Sequence, residues 1–449
     1  MTEQVFTKDI LKNILMGDFN FHDKESNYAS HNFHSFPAKF PPQLPQKLIY
    51  ELSEEGDVIL DPMVGSGTTV VEAILLNRKA IGFDIDPLAL EISKVKITPL
   101  EEKVVEDLLE IIIYKASSRV NKSPDNLRSQ IEKTFDKETL DFLDCWYLPS
   151  IQGELFALSQ EINSIENEDF RRFFKVAFSG TIVTKSGGVS LALDLGHTRP
   201  HLAKKVIDKQ GKTIIGNPQE KYPSYATKIF KSAILEFEKK ARANLIGVSN
   251  IPQNCYIPEI RYGNAQNLDI EENSIDLIIT SPPYASNAID YMRAHKFSLI
   301  WFGDGIKSLS EKRKAYIGSE STNGFDFEEL PFYTKSIIKK IKQVDTKKSL
   351  VLHRYYSEMT RVLKEMYRVL RPGKISVVVV GNSMLRGIDT EIPYCLSEIG
   401  QEVGFSVPVI GVRELDRNRR MLPTSNNVNL TSQIQQRMHE EHLIGFLKG

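Results

Sequence analysis

Two short stretches of this 449-residue chain hold residue types at spacings that could do chemistry. The first is DPMVGSGTT, Asp61 to Thr69. It sets an acid, Asp61, and two glycines, Gly65 and Gly67, between the apolar run Val58–Leu60 and the segment TTVVEAILLNR, whose apolar spacing is that of a buried helix. Glycines at such a turn let the backbone approach a ligand closely. Asp84 lies 23 positions beyond Asp61, at the end of a second short apolar run, AIGFD. A carboxylate there can accept the hydroxyls of a ribose. The second stretch is TSPPYASNAIDY, Thr280 to Tyr291, which follows the run IDLIIT. Neither proline of Ser281-Pro282-Pro283-Tyr284 can donate to a sheet ladder or continue a helix. The residue before each is pushed toward extended backbone. The pair therefore holds something rigid at a strand end, either an ordinary tight turn or a set of acceptors fixed for a ligand.

The glycine turn excludes some ligands. A P-loop needs Gly-Lys-Ser/Thr, whereas Gly67 is followed by Thr68 and Thr69, with no lysine to meet a phosphate. Position 70 is Val, where a dinucleotide fingerprint carries its third glycine. Asp61 would also set a negative charge beside a pyrophosphate. A ligand that combines positive charge with a ribose suits the turn better, and S-adenosylmethionine carries an ammonium, a sulfonium and a ribose. A structural turn without ligand is the alternative.

These stretches need elements to position them. Strand, glycine turn, helix, strand, turn and helix follow one another from Asp57 to Ile97, a βαβ unit expected to be parallel and right-handed. From about 100 to 250 the chain is mostly helical in character, and the α/β rhythm then returns at EIRYGNAQNL and SIDLIITSPPY. An irregular insertion follows at about 285–350. The amphipathic helix YSEMTRVLKEMYRVL is expected to stop at Pro372-Gly373, and ISVVVVGNS reads as a central buried strand. Seven strands are predicted, at 57–60, 80–84, 258–262, 275–280, 375–381, 405–413 and 441–448. The expected fold is an α/β, doubly wound sheet with a largely helical inserted domain. Residues 1–100 and 256–449 form the two parts of the α/β domain, and 101–255 the insertion. Ligands of such a sheet sit beyond the carboxyl ends of its strands.

Composition narrows the classes. No apolar run approaches the roughly 18 residues of a membrane span, and MTEQVFTKDILKNILMGDFN lacks signal-peptide architecture, so a cytoplasmic protein is expected. Cys145, Cys255 and Cys395 are scattered, which argues against a disulfide framework or a structural zinc site. His31 and His34 are close together, but nothing nearby completes a metal-ligand set, and no metal is expected. The formal net charge is −1, so any nucleic-acid surface must be local. Arg171 to Lys212 holds nine Lys/Arg against two Asp. That run is either a solvated face or a phosphate-binding surface.

Together the motifs resemble those of the S-adenosylmethionine-dependent DNA amino-methyltransferases. DPMVGSGTT is similar to that family's cofactor motif, with Met63 in place of the common Phe. IGFDIDP is similar to its second motif, TSPPY to its catalytic motif, and FHSFPAKFPP to the segment that completes its methionine pocket. The resemblance covers both α/β parts and neither insertion. It implies a class I methyltransferase (Rossmann-like) sheet and S-adenosylmethionine as cofactor. It further implies that Gly65, Ser66 and Gly67 line the methionine portion, with Asp61, Pro62 and Thr68 nearby, and that Lys39 and Phe40 sit at the methionine end. Asp84 would bind the ribose, Ile85 would cover the adenine, and Asn264 with Ala265, in GNAQNL where many relatives have Gly-Asp-Ala, would meet the adenine amino group.

At the catalytic motif the resemblance implies a reaction on a base amine. An exocyclic amine is a poor nucleophile because its lone pair is delocalised into the ring. The Ser281 hydroxyl oxygen and the Pro282 carbonyl would accept its two N–H groups, Pro283 would stiffen the backbone, and Tyr284 would stack on the base, a preorganised arrangement. Duplex DNA would have to flip the base out. None of the three cysteines follows a proline, which sets cytosine C5 methylation aside. Serine in the first motif position favours cytosine N4; adenine N6 remains open, as do an RNA base amine and a catalytically silent binding module. The inserted domain is the expected reader of DNA, with Arg171, Arg172, Lys185, Lys204 and Lys205 on phosphates and Arg199 and His201 among the groups reading base edges. RELDRNRR, after position 412, is a second candidate phosphate contact. Double-stranded DNA is the expected partner, with a cognate restriction endonuclease in a restriction–modification or other defence system.

Overall fold

The computed structural model describes residues 3–415 and 440–449, except 38, 123, 185–187, 194–200, 220–226, 249–250, 252–255, 284 and 286–289. The first half of the α/β domain begins with helices α1 (Glu3–Leu15) and α2 (Gln43–Leu52). Strand β1 (Val58–Asp61), α3 (Thr68–Leu75), β2 (Lys79–Asp84) and α4 (Pro87–Ile97) then form the βαβ unit. β1 and β2 pair in parallel, from Val58 opposite Lys79 to Asp61 opposite Gly82, so Asp61 and Asp84 emerge at the same end of the sheet.

The insertion carries α5 (Glu102–Lys122), α6 (Pro124–Thr134), α7 (Lys137–Trp146), α8 (Pro149–Asn163), α9 (Glu168–Ile182) and α10 (Ala233–Val248). Between α9 and α10 stands a three-stranded sheet of β3 (Lys205–Ile207), β4 (Thr213–Ile215) and β5 (Thr227–Ile229), which the helical character of the surrounding sequence did not announce. The α/β domain resumes with β6 (Glu259–Tyr262) and β7 (Ile275–Thr280). The stretch expected to be irregular is instead mainly helical: α11 (Tyr291–Leu299), α12 (Ile306–Lys314), α13 (Phe332–Val344) and the start of α14 (Thr346–Val369). β8 (Leu370–Gly381), the short β9 (Met384–Leu385) and β10 (Ile388–Asp389), α15 (Ile392–Val403), β11 (Phe405–Glu414) and β12 (Glu440–Lys448) complete the chain.

The main sheet has seven strands in the order β11-β12-β8-β7-β1-β2-β6. β6, β2, β1, β7 and β8 run parallel, and β12 lies antiparallel between β8 and β11. All seven predicted strands are present, in a class I α/β arrangement. The prolyl-glycyl stop at 372–373 differs from expectation: α14 ends at Val369, and Pro372-Gly373 lies within the start of β8. The register against β7 jumps there, from Ile275 opposite Leu370 to Leu277 opposite Ile375. An irregularity of that kind tolerates a residue without an N–H.

β7 is buried along its whole length, as a central strand covered on both faces must be. One face packs on α1, α2 and α3 through Leu11, Leu44, Val70 and Leu277. The other packs on α14 and α15 through Tyr355, Met359, Ile278 and Leu396. Met292, Phe297 and Trp301, from α11 and the turn after it, belong to the same core as the inserted helices. Tyr147 fixes that junction by donating its hydroxyl hydrogen to the Phe297 carbonyl at 2.6 Å. The two insertions therefore meet over the carboxyl end of the sheet. Among the described residues, no helix is long and apolar enough to cross a membrane.

Candidate active site

β1 is followed by β2 on one side and borders β7 on the other, so the strand order reverses at its carboxyl end. A doubly wound sheet opens a crevice at such a point. A cavity lies there, lined among others by Phe36, Lys39, Phe40, Asp61, Gly65, Ser66, Asp84, Ile85, Asn264, Ser281 and Pro283. Pro62, Thr68 and Ala265 also line it. The glycine turn, the end of β2, the turn after β6 and the Ser-Pro-Pro turn, drawn from distant parts of the chain, thus share one hollow.

Asp61 joins two of these turns. Its carboxylate accepts from Thr69 Oγ1 at 2.7 Å, from Thr280 Oγ1 at 2.7 Å and from the Met63 N–H at 3.2 Å. The first residue of TSPPY is therefore tied directly to the first residue of DPMVGSGTT. Burial pushes the Asp61 carboxyl up to about 6, against the pull of these three donors. Asp84 accepts from the Gly65 N–H at 2.9 Å with one oxygen and from the Asp86 N–H at 2.8 Å with the other. Burial first, and the Asp86 charge second, push it up to about 7. Each oxygen keeps capacity for a further donor.

The two glycines do different work. Gly65 lines the cavity with φ +49°, and a Cβ there would meet Phe36 at 3.4 Å. Gly67, expected to line it too, does not: it caps α3 with φ +78°, and a Cβ would come within 2.9 Å of Ser93 on α4. Helix–helix approach, not ligand contact, requires glycine there. Asn264 borders the cavity, but its side-chain carbonyl already accepts from the Gln266 N–H at 3.0 Å and from Gln266 Nε2 at 3.3 Å, so Gln266 would have to give way before a ligand could donate to it. Pro282 is buried behind Ser281 and Pro283, and Tyr284 lies outside the described residues.

Further side chains complete the walls, and those from Arg313 to Glu320 carried no motif signal. Phe36 stacks on Tyr291 with ring centroids 5.2 Å apart. Asp86 caps α4 through the Leu88 and Ala89 N–H groups, and its other oxygen receives the Tyr316 hydroxyl at 2.8 Å and lies 2.7 Å from His295 Nδ1. Burial works to raise the Asp86 carboxyl, but His295 beside it and the donors around it hold it below the ordinary value. Arg313, Tyr316, Ser319 and Glu320 form the outer wall. Below the turn, Glu72 is fully buried and anchors the 28–40 segment: the Tyr28 hydroxyl donates to it at 2.7 Å, and His31 Nε2 lies 2.7 Å away. Lys39 donates to the His31 carbonyl at 2.6 Å, which fixes its stem at the cavity edge.

The expected DNA contacts fare unevenly. Arg172 is buried and ion-paired with Glu91, Glu168 and Asp169; its position in α9 commits it to the interior, which removes it from the phosphate contacts. Arg171 donates to the carbonyls of Ile165 and Glu166. His201 and Lys204 are exposed, and Lys205 is half-buried at the start of β3, the central strand of the three-stranded sheet. Lys185 and Arg199 lie outside the described residues. Arg413, of the RELDRNRR stretch, is buried against Glu441, and residues 416–420 lie outside the described part.

Residues 5–95 match a family model described as a DNA methylase of the N6/N4 type. Over 416 residues the chain is 23% identical to the type II methyltransferase M.MvaI of Kocuria varians, covering 86% of this chain and 84% of that protein. It is 24% identical over 425 residues to the type II methyltransferase M.BsoBI of Geobacillus stearothermophilus, covering 84% and 79%. It is 26% identical over 420 residues to the type II methyltransferase M.AvaI of Anabaena variabilis, covering 86% and 81%.

Proposed function

From the premise that the chain belongs to the S-adenosylmethionine-dependent DNA amino-methyltransferases, we propose that it methylates the exocyclic N4 amine of a flipped cytosine at a specific site in duplex DNA. The observation that carries this reading is that Ser281 and Pro283 share one cavity with Asp84 and the glycine turn. The lining fits the cofactor. Buried Asp61 and half-buried Asp84 suit a cationic ligand with a ribose, a glycine with positive φ opens room beside the turn, and Phe36 and Ile85 offer apolar cover. Bound there, S-adenosylmethionine supplies an electrophilic methyl group on a sulfonium, which an amine nitrogen displaces with S-adenosylhomocysteine as the leaving group.

The chain's own residues do the rest. Lys39 and Phe40 hold the methionine end, Asp84 accepts the ribose hydroxyls, and Ile85, Asn264 and Ala265 border the adenine. The Ser281 oxygen and the Pro282 carbonyl accept the two N–H groups of the target amine, which localises its lone pair. Thr280, held on Asp61, fixes where those acceptors stand. Fixed acceptors need no reorganisation when charge develops on the nitrogen. The amine's surplus proton passes to water after transfer. Lys204 and Lys205 meet backbone phosphates. The type II names of the relatives support a restriction–modification setting, and we infer a cytoplasmic enzyme with a cognate endonuclease.

The test is chemical. The protein is incubated with labelled S-adenosylmethionine and either duplex DNA or RNA, and the digested nucleosides are identified by mass spectrometry. N4-methylcytosine from DNA is expected. N6-methyladenine would overturn the choice of base, and label confined to RNA would overturn DNA as substrate.

A further inference from the structure

The cavity presents an electrostatic problem to a polyanionic substrate. Five carboxylates line it, Asp84 and Asp290 among them, against two cations, Lys39 and Arg313. Those carboxylates serve a cationic cofactor, yet they repel the phosphates on either side of an entering base. Lys39 stands at the methionine end. Arg313 is the cation on the opposite wall, and it belongs to the stretch from 290 to 314, which holds six Lys/Arg against three carboxylates in a chain of net charge −1.

Its arrangement is specific. Asp290 is buried, with 5% of its side chain exposed, and is ion-paired to Arg293 at 2.8 Å and to Arg313. One carboxylate thus serves two guanidinium groups and leaves a net positive charge. Arg313 keeps 42% of its side chain exposed and Arg293 26%. A guanidinium has five donors in a planar fork, so each arginine, ion-paired to the same Asp290 oxygen, keeps donors for an oxyanion. Lys296, on the next turn of α11, lies near enough to feel both arginines and Asp290. Lys312 and Lys314 flank Arg313 in the last turn of α12, largely exposed, and each pairs with an acid of its own. Tyr316, two residues further, bonds to Asp86, which ties this turn to the cofactor side of the cavity.

We propose that Arg293 and Arg313, held on Asp290, form a clamp at the cavity mouth for a DNA backbone phosphate beside the base that enters it. The proposal rests on the DNA amino-methyltransferase reading. It moves the phosphate grip nearest the chemistry from the 171–212 run to α11 and α12. Planar bidentate recognition explains arginine at both positions.

Binding of a fluorescent duplex is measured by anisotropy across a salt series for the wild type, Arg293→Gln/Arg313→Gln, Arg313→Gln and Arg313→Lys. The double variant is expected to lose about 10- to 100-fold in DNA affinity, and the slope of log affinity against log salt to shrink by about one, for the one phosphate no longer neutralised. Cofactor affinity by calorimetry should stay within about twofold. Arg313→Gln, which keeps Arg293 on Asp290, should lose part of that slope and part of the affinity, so the clamp stays testable if the double variant fails to fold. Arg313→Lys should keep the slope and lose part of the affinity. An unchanged slope and affinity in the Gln variants, with a wild type that methylates DNA, would overturn the clamp alone. A wild type that transfers no methyl group to DNA would overturn the functional reading and the clamp with it.

Discussion

The two walls of the cavity are held in opposite ways. On the β1–β2 side, acids are fixed by the backbone and hydroxyls of the turns they serve: Asp84 by the Gly65 and Asp86 N–H groups, Asp61 by Met63, Thr69 and Thr280. On the α11–α12 side, charge holds charge, as in Asp290 between two arginines. Fixed neutral dipoles around a carboxylate leave its charge available to a cation. Ion pairs instead leave a surplus whose sign depends on the count, here positive. The difference separates a wall built for a cationic cofactor from one suited to an anionic backbone.

Asp84→Asn should separate the walls most sharply. The amide keeps an acceptor for the turn but loses the charge and one acceptor for the ribose. Cofactor affinity should fall by about 10- to 100-fold, the worth of hydrogen bonds to a charged group, while DNA affinity without cofactor stays within about twofold. Calorimetry for the cofactor and anisotropy for the duplex would expose equal losses on both, which would dissolve the distinction.

The next effect is one of pH. Burial holds Asp84 up at about 7 and Asp61 at about 6. The folded chain without cofactor therefore binds these protons more tightly than the unfolded chain. The two groups favour folding at low pH, and that contribution is lost as pH rises through about 6 to 7. Cofactor binding runs the other way, because it uses the ionised form. Affinity should rise about tenfold from pH 6 to pH 8, with the rise much reduced in Asp84→Asn. A flat profile in the wild type would show that the ionised form is not what the ligand meets.

The smallest change should follow Thr280→Val, which removes one of the three donors on Asp61 while preserving shape. Denaturant unfolding should report a loss of about 1–2 kcal/mol. No loss would mean that the link between the two motifs does not hold the turns together.

The same contrast explains what the sequence made legible. The glycine turn, Asp84 and the Ser-Pro-Pro turn could be found because each motif lies within a few residues of one strand end, where local backbone chemistry dictates residue type. The central strands β7 and β8 were legible for a similar reason, since buried parallel strands read as continuous apolar runs. The outer wall was not. Tyr316 meets Asp86 across 230 positions, and no periodicity carries that pairing. The basic run misled at Arg172 because a count of charges ignores partners: Glu168 and Asp169 sit one helical turn away, and Glu91 arrives from α4. One signal for the mouth was present in the sequence. Arg293, Lys296, Lys312, Arg313 and Lys314 cluster just after the catalytic motif, where a substrate-facing surface has to begin.

The central claim is that cofactor and target amine meet in one cavity but are held by different residues. Single-turnover methyl transfer and cofactor affinity, measured together on Ser281→Ala, test it most directly. The account predicts that the transfer rate falls on the order of 100-fold, as when one preorganised hydrogen-bonding group is lost from a reaction centre, while cofactor affinity stays within about twofold. A transfer rate equal to the wild type, or a collapse of cofactor binding, would contradict it.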